Sequence, residues 1–430
     1  MDTLIIGGGA AGLMTACFAA GKTVVLERLD SPGRKLLATG GGRCNLTHDT
    51  DVDGIAAAFD REPRFALPAL HTFPPQDIRA FFRAQGVETC VEPDGCVFPV
   101  SQKAADVLGA LQRAARANGA EVRCGVRVTR LVLGPDARGA TPDAQRIVAV
   151  ETSAGTFTPR RVILATGGQS YPELGSDGSG FMLARQAGLE VMRPVPALAG
   201  LTIPDKWVQD LTGLLCEQGS VRVEGERKAV EGPVLFTHRG ISGPPALAVS
   251  GEVNARLKAG QEVAVRVSFR RERDVQDWLD LFSAWRQEHG GRMVHNLLSG
   301  ELPRALAVAL CKLAGLTDTA VAQVSKAAAQ ALAEACCDCA LKVTATEGWA
   351  RAMLTRGGVA LHELDAKTLA CKRVRNLYCV GEVVDLDAPC GGFNLTWAFA
   401  SGRLAAASWR PENLLSKWDA LRACFTQKKE

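Results

Sequence analysis

No stretch of this 430-residue chain is apolar over the length that a membrane span requires, and no basic run exceeds a few positions. Charge of one sign is equally scarce: 50 Lys and Arg against 46 Asp and Glu leave a net +4. A balance that even argues against a nucleic-acid partner and a membrane surface alike, and leaves a small molecule as the expected partner. The lysines near the end, Lys428 and Lys429, read as a solvated terminus. The apolar N-terminus lacks a basic leader region and carries glycines at its centre, so it is not read as an export signal. Its 14 cysteines sit mostly in apolar company (Cys17, Cys124, Cys311, Cys379), as buried thiols do in a reducing, cytoplasmic compartment. Cys336 and Cys339 form a C-x-x-C spacing, but no second ligand pair follows at zinc spacing, so no metal is expected. At this length, with 47% hydrophobic residues, the chain can bury a large core in two or three domains.

What is present comes first in the chain. Leu4-Ile5-Ile6 reads as a short buried strand, Gly7-x-Gly9-x-x-Gly12 follows at once, and an apolar helix continues from Leu13. In a dinucleotide fold the first glycine makes the tight turn. The second lets backbone approach a pyrophosphate, and the third lets helix pack on strand. The phosphates then rest at the positive helix N-terminus, near Ala10 and Ala11. A second strand ends in Glu27, where an acid can bind ribose hydroxyls. Next comes a loop with three consecutive glycines, Gly40, Gly41 and Gly42, close to Arg34, Lys35, Thr39, Arg43 and Asn45. That composition suits backbone lying against a flat or anionic ligand.

Apolar spacing predicts helices over 75–85 and 103–118, strands over 121–124 and 126–133, and a hairpin formed by 147–152 and 156–158. A polar tip over 134–145 separates them. The strand Val162-Ile163-Leu164 ends in Ala165-Thr166-Gly167-Gly168, small enough to meet a cofactor. From about residue 192 the character changes to alternating strands (220–224, 230–236, 262–269) and then to helices (274–288, 303–313, 319–335). A late buried strand ends in Gly381-Glu382, with Asp385 and Asp387 after it. Cys390-Gly391-Gly392-Phe393-Asn394 then opens a helix at about Leu395. In FAD proteins a late strand of this kind carries the flavin ribityl and pyrophosphate. The following helix aims its N-terminus at the flavin pyrimidine end, where it favours negative charge.

These motifs, with Val97-Phe98-Pro99-Val100-Ser101, Gly175-Ser176-Asp177-Gly178, Phe236-Thr237-His238 and Gly357-Gly358-Val359, resemble a bacterial flavoprotein family. It is often labelled aminoacetone-oxidase-like or NAD(P)/FAD-dependent oxidoreductase, and is distantly related to the fumarate-reductase flavoproteins. The resemblance spans nearly the whole chain. Departures are Thr396 where glutamine is usual, Phe393 for tyrosine, and Ala370-Cys371 for Glu-Ser. The implied fold class is α/β: a Rossmann-like FAD-binding domain with a β-meander over 1–191 and 343–430. An inserted domain over 192–342 interrupts it, with a β-barrel part (192–270) and a helical part (271–342).

The resemblance implies FAD held without covalent attachment between the two domains. Gly9, Ala10, Ala11 and Gly12 would take the pyrophosphate, Glu27 the adenosine ribose, and backbone at Val128 the adenine. Gly40, Gly41, Gly42, Arg43 and Asn45, with Gly391, Gly392, Phe393, Asn394 and Leu395, would meet the isoalloxazine. Gly7, Arg28, Arg34, Lys35, Thr39, Thr166, Gly167, Gly168, Asp177, Gly381, Glu382 and Asp385 complete the expected cofactor contacts. Catalysis is assigned to His238, whose turn can fold over the flavin and whose imidazole can move a proton near neutral pH. The same residue can instead serve only to shape a glycine-rich turn. Only one G-x-G-x-x-G is visible, so NAD(P)H is expected as a transient electron donor without a domain of its own. The expected function is an FAD-dependent oxidoreductase of a small molecule, either oxidase or reductase. The alternatives are a flavin-dependent RNA-modifying enzyme and a flavin-bearing binding or sensor protein.

Overall fold

The computed structural model describes residues 1–59, 61–136 and 145–409. Most of the expected polar tip (137–144) and the basic end therefore lie outside the described residues. Chain contacts separate two units: Met1–Pro194 with the chain from Leu354 onward, and Val195–Met353.

The first unit is built on a five-stranded sheet in the order Leu377–Cys379, Arg161–Leu164, Thr3–Ile6, Thr23–Leu26, Glu121–Arg123. All neighbours are parallel. Four of these strands are buried along their whole length, which is why they read as continuous apolar runs rather than alternating ones. The first strand sits in the middle, with its successor on one side and a much later strand on the other. The carboxyl end of such a switch point is where open α/β sheets bind ligands.

Helix Ala10–Phe18 is buried at nearly every position because a second helix, Phe393–Ala407, lies against it. The approach is set by Gly402, where a Cβ would fall 2.6 Å from the Ala11 carbonyl oxygen. The crossover helix Ala104–Ala117 buries Val107, Leu108, Leu111 and Ala115, the predicted stripe. It stops where the Asn118 amide donates to the carbonyls of Ala16 and Ala19, at 3.0 and 2.9 Å. The meander is present as Val128–Pro135, Gln145–Thr152 and Gly155–Phe157, all antiparallel. Arg161 is an oddity of this core, 1% exposed. Its Nε donates to Thr3 Oγ1 at 2.8 Å and its Nη1 to the Ala405 carbonyl at 3.0 Å.

The second unit holds two antiparallel sheets rather than one barrel. One runs Leu215–Cys216, Val234–Thr237, Gly240–Ser242, Leu201–Thr202, Ala345–Thr346, and the other Val230–Glu231, Ser220–Val223, Val263–Ser268, Cys339–Val343. The single strand expected over 230–236 is broken at Gly232-Pro233, and its halves join different sheets. Proline has no N–H to continue a ladder. Helix Pro244–Lys258 stands among the strands and was not anticipated. The last predicted helix begins at Lys326 rather than 319, because Ser325 Oγ caps it by accepting from Ala328 N at 3.1 Å. The unit also continues past the expected limit of residue 342, since Ala345–Thr346 pairs with Leu201–Thr202.

Candidate functional site

At the end of the first strand Gly7 turns at φ +107, and a Cβ there would lie 2.4 Å from the Ala165 carbonyl oxygen. Only glycine lets the turn and the strand ending Ala165-Thr166-Gly167 meet. Gly12 is tighter still, with a virtual Cβ 2.0 Å from Gly7 O. Gly9 differs: it caps helix Ala10–Phe18 at an ordinary φ of −81°, with no side-chain cap, and nothing lies within 4 Å of its virtual Cβ. The helix therefore presents bare N-terminal amides to an open space, the arrangement that receives a phosphate. Glu27, 8% exposed, accepts from Gly8 N and from Leu29 N, each at 2.9 Å. Its carboxylate is thus held at the lip of that space by the glycine loop itself.

The late motif comes to the same place. Gly381, at φ +70, would bring a Cβ within 2.7 Å of Ala11 Cβ. Its amide donates to Ser401 Oγ at 3.0 Å, and its carbonyl accepts from Trp397 Nε1 at 3.1 Å. The loop at Gly40 (φ +56), Gly41 (φ +66) and Gly42 (φ +90) lies exposed, and its continuation docks on the late turn. Gly392, φ +88, would meet Thr47 O at 2.4 Å and Asn45 Oδ1 at 2.8 Å. Helix Phe393–Ala407 starts there without a side-chain cap. Asn394 holds the preceding segment by accepting from Ala388 N at 3.0 Å and donating to Ala388 O at 2.7 Å. Two uncapped helix ends and two glycine loops thus converge beyond the carboxyl ends of the parallel strands.

A model of the HI0933-like protein Rossmann domain family matches residues 1–408. The chain belongs to the HI0933-like family. Among curated proteins, the 3-dehydro-bile acid delta(4,6)-reductase of Clostridium scindens is 33% identical over 95% of this chain and 99% of its own. The ribosomal RNA dihydrouridine synthase of Escherichia coli is 30% identical over 93% and 96%. Of solved structures, the 3-ketosteroid delta1-dehydrogenase of Sterolibacterium denitrificans matches with a TM-score of 0.50, covering 94% of this chain and 98% of that one. Its 13% identity speaks for the fold alone. This HI0933-like chain is a flavoprotein oxidoreductase with FAD as its cofactor. Among the described residues no helix is long and apolar enough to cross a membrane.

Several residues expected at the cofactor are committed to protein partners. Lys35 Nζ stands 2.6 Å from both Glu382 Oε2 and Ser170 Oγ. Glu382 Oε1 accepts from Thr355 N at 2.9 Å and from Ser170 Oγ at 3.1 Å. Gly168 packs on this cluster, its virtual Cβ 2.2 Å from Thr355 Oγ1 and 2.8 Å from Glu382 Oε1. Asp385 Oδ1 accepts from Gly357 N at 3.0 Å and from Arg61 at 2.9 Å, while Asp387 pairs with Arg61 and with Arg356. Those contacts hold Arg61 above its usual guanidinium range despite partial burial. Arg28 donates to Pro172 O at 3.0 Å and lies 3.3 Å from Asp177. Arg34 pairs with Asp30. Arg43 lies 4.0 Å over the Phe98 ring and 2.6 Å from Glu92. Thr39 Oγ1 donates to Leu36 O at 2.6 Å, and Thr166 Oγ1 faces Gly180. Val128 opens the meander, half-buried.

His48 escaped the sequence reading. Its Nδ1 lies 3.1 Å from the Gly391 carbonyl, and its ring stacks on Phe393 at 4.9 Å and 25°. The signal was its position, at the end of the glycine-loop motif that docks on Gly392. His238 lies in the second unit, exposed at the hairpin between Val234–Thr237 and Gly240–Ser242. Glu190, His362 and Glu363 form a carboxylate–imidazole group elsewhere on the first unit. Arg373 Nε, 3.1 Å from Glu363, already balances part of its charge. The Cys336 thiol is pushed well up by burial, as structural thiols are, and Cys339 likewise to about 12.

Proposed function

We propose that this chain is an FAD-dependent reductase that saturates a carbon–carbon double bond in a small cyclic substrate, with NAD(P)H as donor. Two hydrogens are added, one as a hydride equivalent taken from the nicotinamide and one as a proton. The observation that carries the reading is the near full-length relation to the Clostridium reductase, on a site whose helix start at Gly9 faces open space. The two relatives also share a kind of chemistry by name: a reductase in one, a dihydro product in the other. The small-molecule reading is preferred over RNA because the chain has a net charge of only +4.

Bound FAD supplies two-electron transfer between donor and acceptor. In this reading the helix N-terminus at Gly9 holds the pyrophosphate and Glu27 the ribose hydroxyls. The N-terminus of helix Phe393–Ala407, with Gly391 and Gly392, receives the flavin ring and favours negative charge there. Lys35 and Glu382 act as a brace between the glycine-loop segment and the late motif. His238, exposed at a hairpin of the second unit, is the sequence-based candidate for the proton that completes saturation.

Anaerobic stopped-flow absorbance near 450 nm tests the assignment. NADH or NADPH should bleach the flavin rapidly, with slow recovery in air and fast recovery on adding a steroid enone. Recovery with unmodified ribosomal RNA but not with the enone would move the function to RNA. Bleaching by an amine with fast recovery in air would make it an oxidase. His238→Gln should slow recovery by the enone and leave bleaching by NAD(P)H unchanged; an unchanged recovery would remove His238 from the reaction.

A further inference from the structure

Within the second unit, helix Val275–His289 and helix Lys326–Cys337 flank a half-open cavity of about 360 Å³, lined also by Val294 and Val321. The sequence explains why it is there. Trp278, Phe282 and Trp285 recur at helical spacing and turn inward. The facing helix reads Lys-Ala-Ala-Ala-Gln-Ala-Leu, so that Ala329 and Leu332 are what it offers opposite the rings. A methyl group opposite two aromatic side chains leaves an apolar recess between the helices. The volume lies in the range usual for small-molecule sites, roughly 300–1,000 Å³.

The charged groups that line the cavity are of one sign. Arg286 and Lys326 line it, and no carboxylate does. Arg286 is anchored by donating to the Val324 carbonyl, which leaves its remaining N–H groups for another acceptor. We propose that this cavity binds a small amphipathic anion: an apolar chain or ring, held against Phe282 and Leu332, bearing one carboxylate that meets Arg286 and Lys326. A cation is repelled by that rim. A neutral hydrophobe fills the wall and gains nothing from the two charges. The assignment stands apart from the reading of the flavin site.

Calorimetric titration of the full-length, FAD-loaded protein with decanoate and with decan-1-ol tests it. Decanoate should saturate one site about tenfold more tightly than the alcohol, the preference that two exposed ionic contacts supply. The double variant Arg286→Gln, Lys326→Gln should erase the preference while leaving the alcohol unchanged. Ala329→Phe, which fills the cavity, should abolish binding of both with the flavin spectrum intact. Should that variant fail to fold, the surface double variant decides alone. Absence of saturable binding, equal affinity for acid and alcohol, or decanoate bound as tightly by either variant would overturn the proposal.

Discussion

Two alanine substitutions three residues apart, at Gly9 and Gly12, separate the fold's need for glycine from the cofactor's need. At Gly12 a Cβ would sit 2.0 Å from Gly7 O and 3.3 Å from Ala165 Cβ, both within the protein. The turn must shift, so Gly12→Ala should lower unfolding free energy by about 3 kcal/mol, the upper range for overpacking. That is a large share of a stability on the order of 5–15 kcal/mol. Gly9 has φ −81°, which alanine adopts freely, and open space beyond it. The weaker N-cap and the stiffer unfolded chain nearly offset, leaving apo-protein stability within about 1 kcal/mol of wild type. The new methyl would stand where the pyrophosphate meets the helix amides. Losing one charge-assisted hydrogen bond there removes about 1.5–3 kcal/mol, or roughly 10- to 150-fold in FAD affinity. Urea unfolding of the apo-protein gives the first quantity, and quenching of FAD fluorescence on titration gives the second. If Gly9→Ala binds FAD within about threefold of wild type, the phosphate does not sit at this helix and the cofactor placement is wrong.

Lys35→Met leaves Glu382, mostly buried, with only Ser170 and Thr355 as partners. Stability should fall by about 1–3 kcal/mol, with part recovered when Glu382→Gln is added. Strict additivity in that double-mutant cycle by urea unfolding would mean that the pair contributes nothing. His48→Ala removes both the contact to Gly391 O and the stack on Phe393. FAD affinity should drop by about tenfold, the value of one ordinary hydrogen bond, and His48→Asn should restore part of it. An affinity equal to wild type would show that this turn does not shape the site. Arg161 is a buried charge with one N–H group unpartnered, so Arg161→Met should change stability by less than about 1 kcal/mol at neutral pH. Burial lowers the wild-type guanidinium from its usual range to about 10. The unfolded chain therefore binds more protons above pH 10, and stability should rise with pH for wild type relative to the variant between about pH 9 and 11. Parallel unfolding curves at the two pH values, with no relative change, would contradict it.

The site divides into residues that a one-dimensional pattern reveals and residues that it conceals. Gly7, Gly9 and Gly12 were legible because a turn between a buried strand and a helix N-terminus imposes local constraints at fixed spacing. Gly391 and Gly392 were legible for a similar reason, a glycine turn opening a helix. Partnerships across large separations were not. Lys35, Glu382 and Asp385 read in sequence as ligand-facing charges, whereas folding pairs Lys35 with Glu382 and Asp385 with Arg61. His48 drew no notice because its only distinction is the neighbour that the late turn brings to it. Helix Pro244–Lys258 carries no such pattern: its apolar residues are not segregated on one face, and sheet packing rather than an amphipathic stripe holds it.

By itself the sequence determined that a Rossmann-like nucleotide unit with a late glycine-rich helix start exists, that an insertion interrupts it, and that FAD is the cofactor. The first two rest on local chemistry, strand and helix periodicity and turns that only glycine can make, whereas FAD rests on the resemblance of these motifs to a flavoprotein family. Only the tertiary structure decided how the five parallel strands are ordered, which charged residues are spent on one another, where the inserted unit ends at Met353, and that a cavity opens beside Ala329. Those outcomes depend on which distant surfaces bury one another. That burial is non-directional and summed over many weak contacts, so no local motif records it.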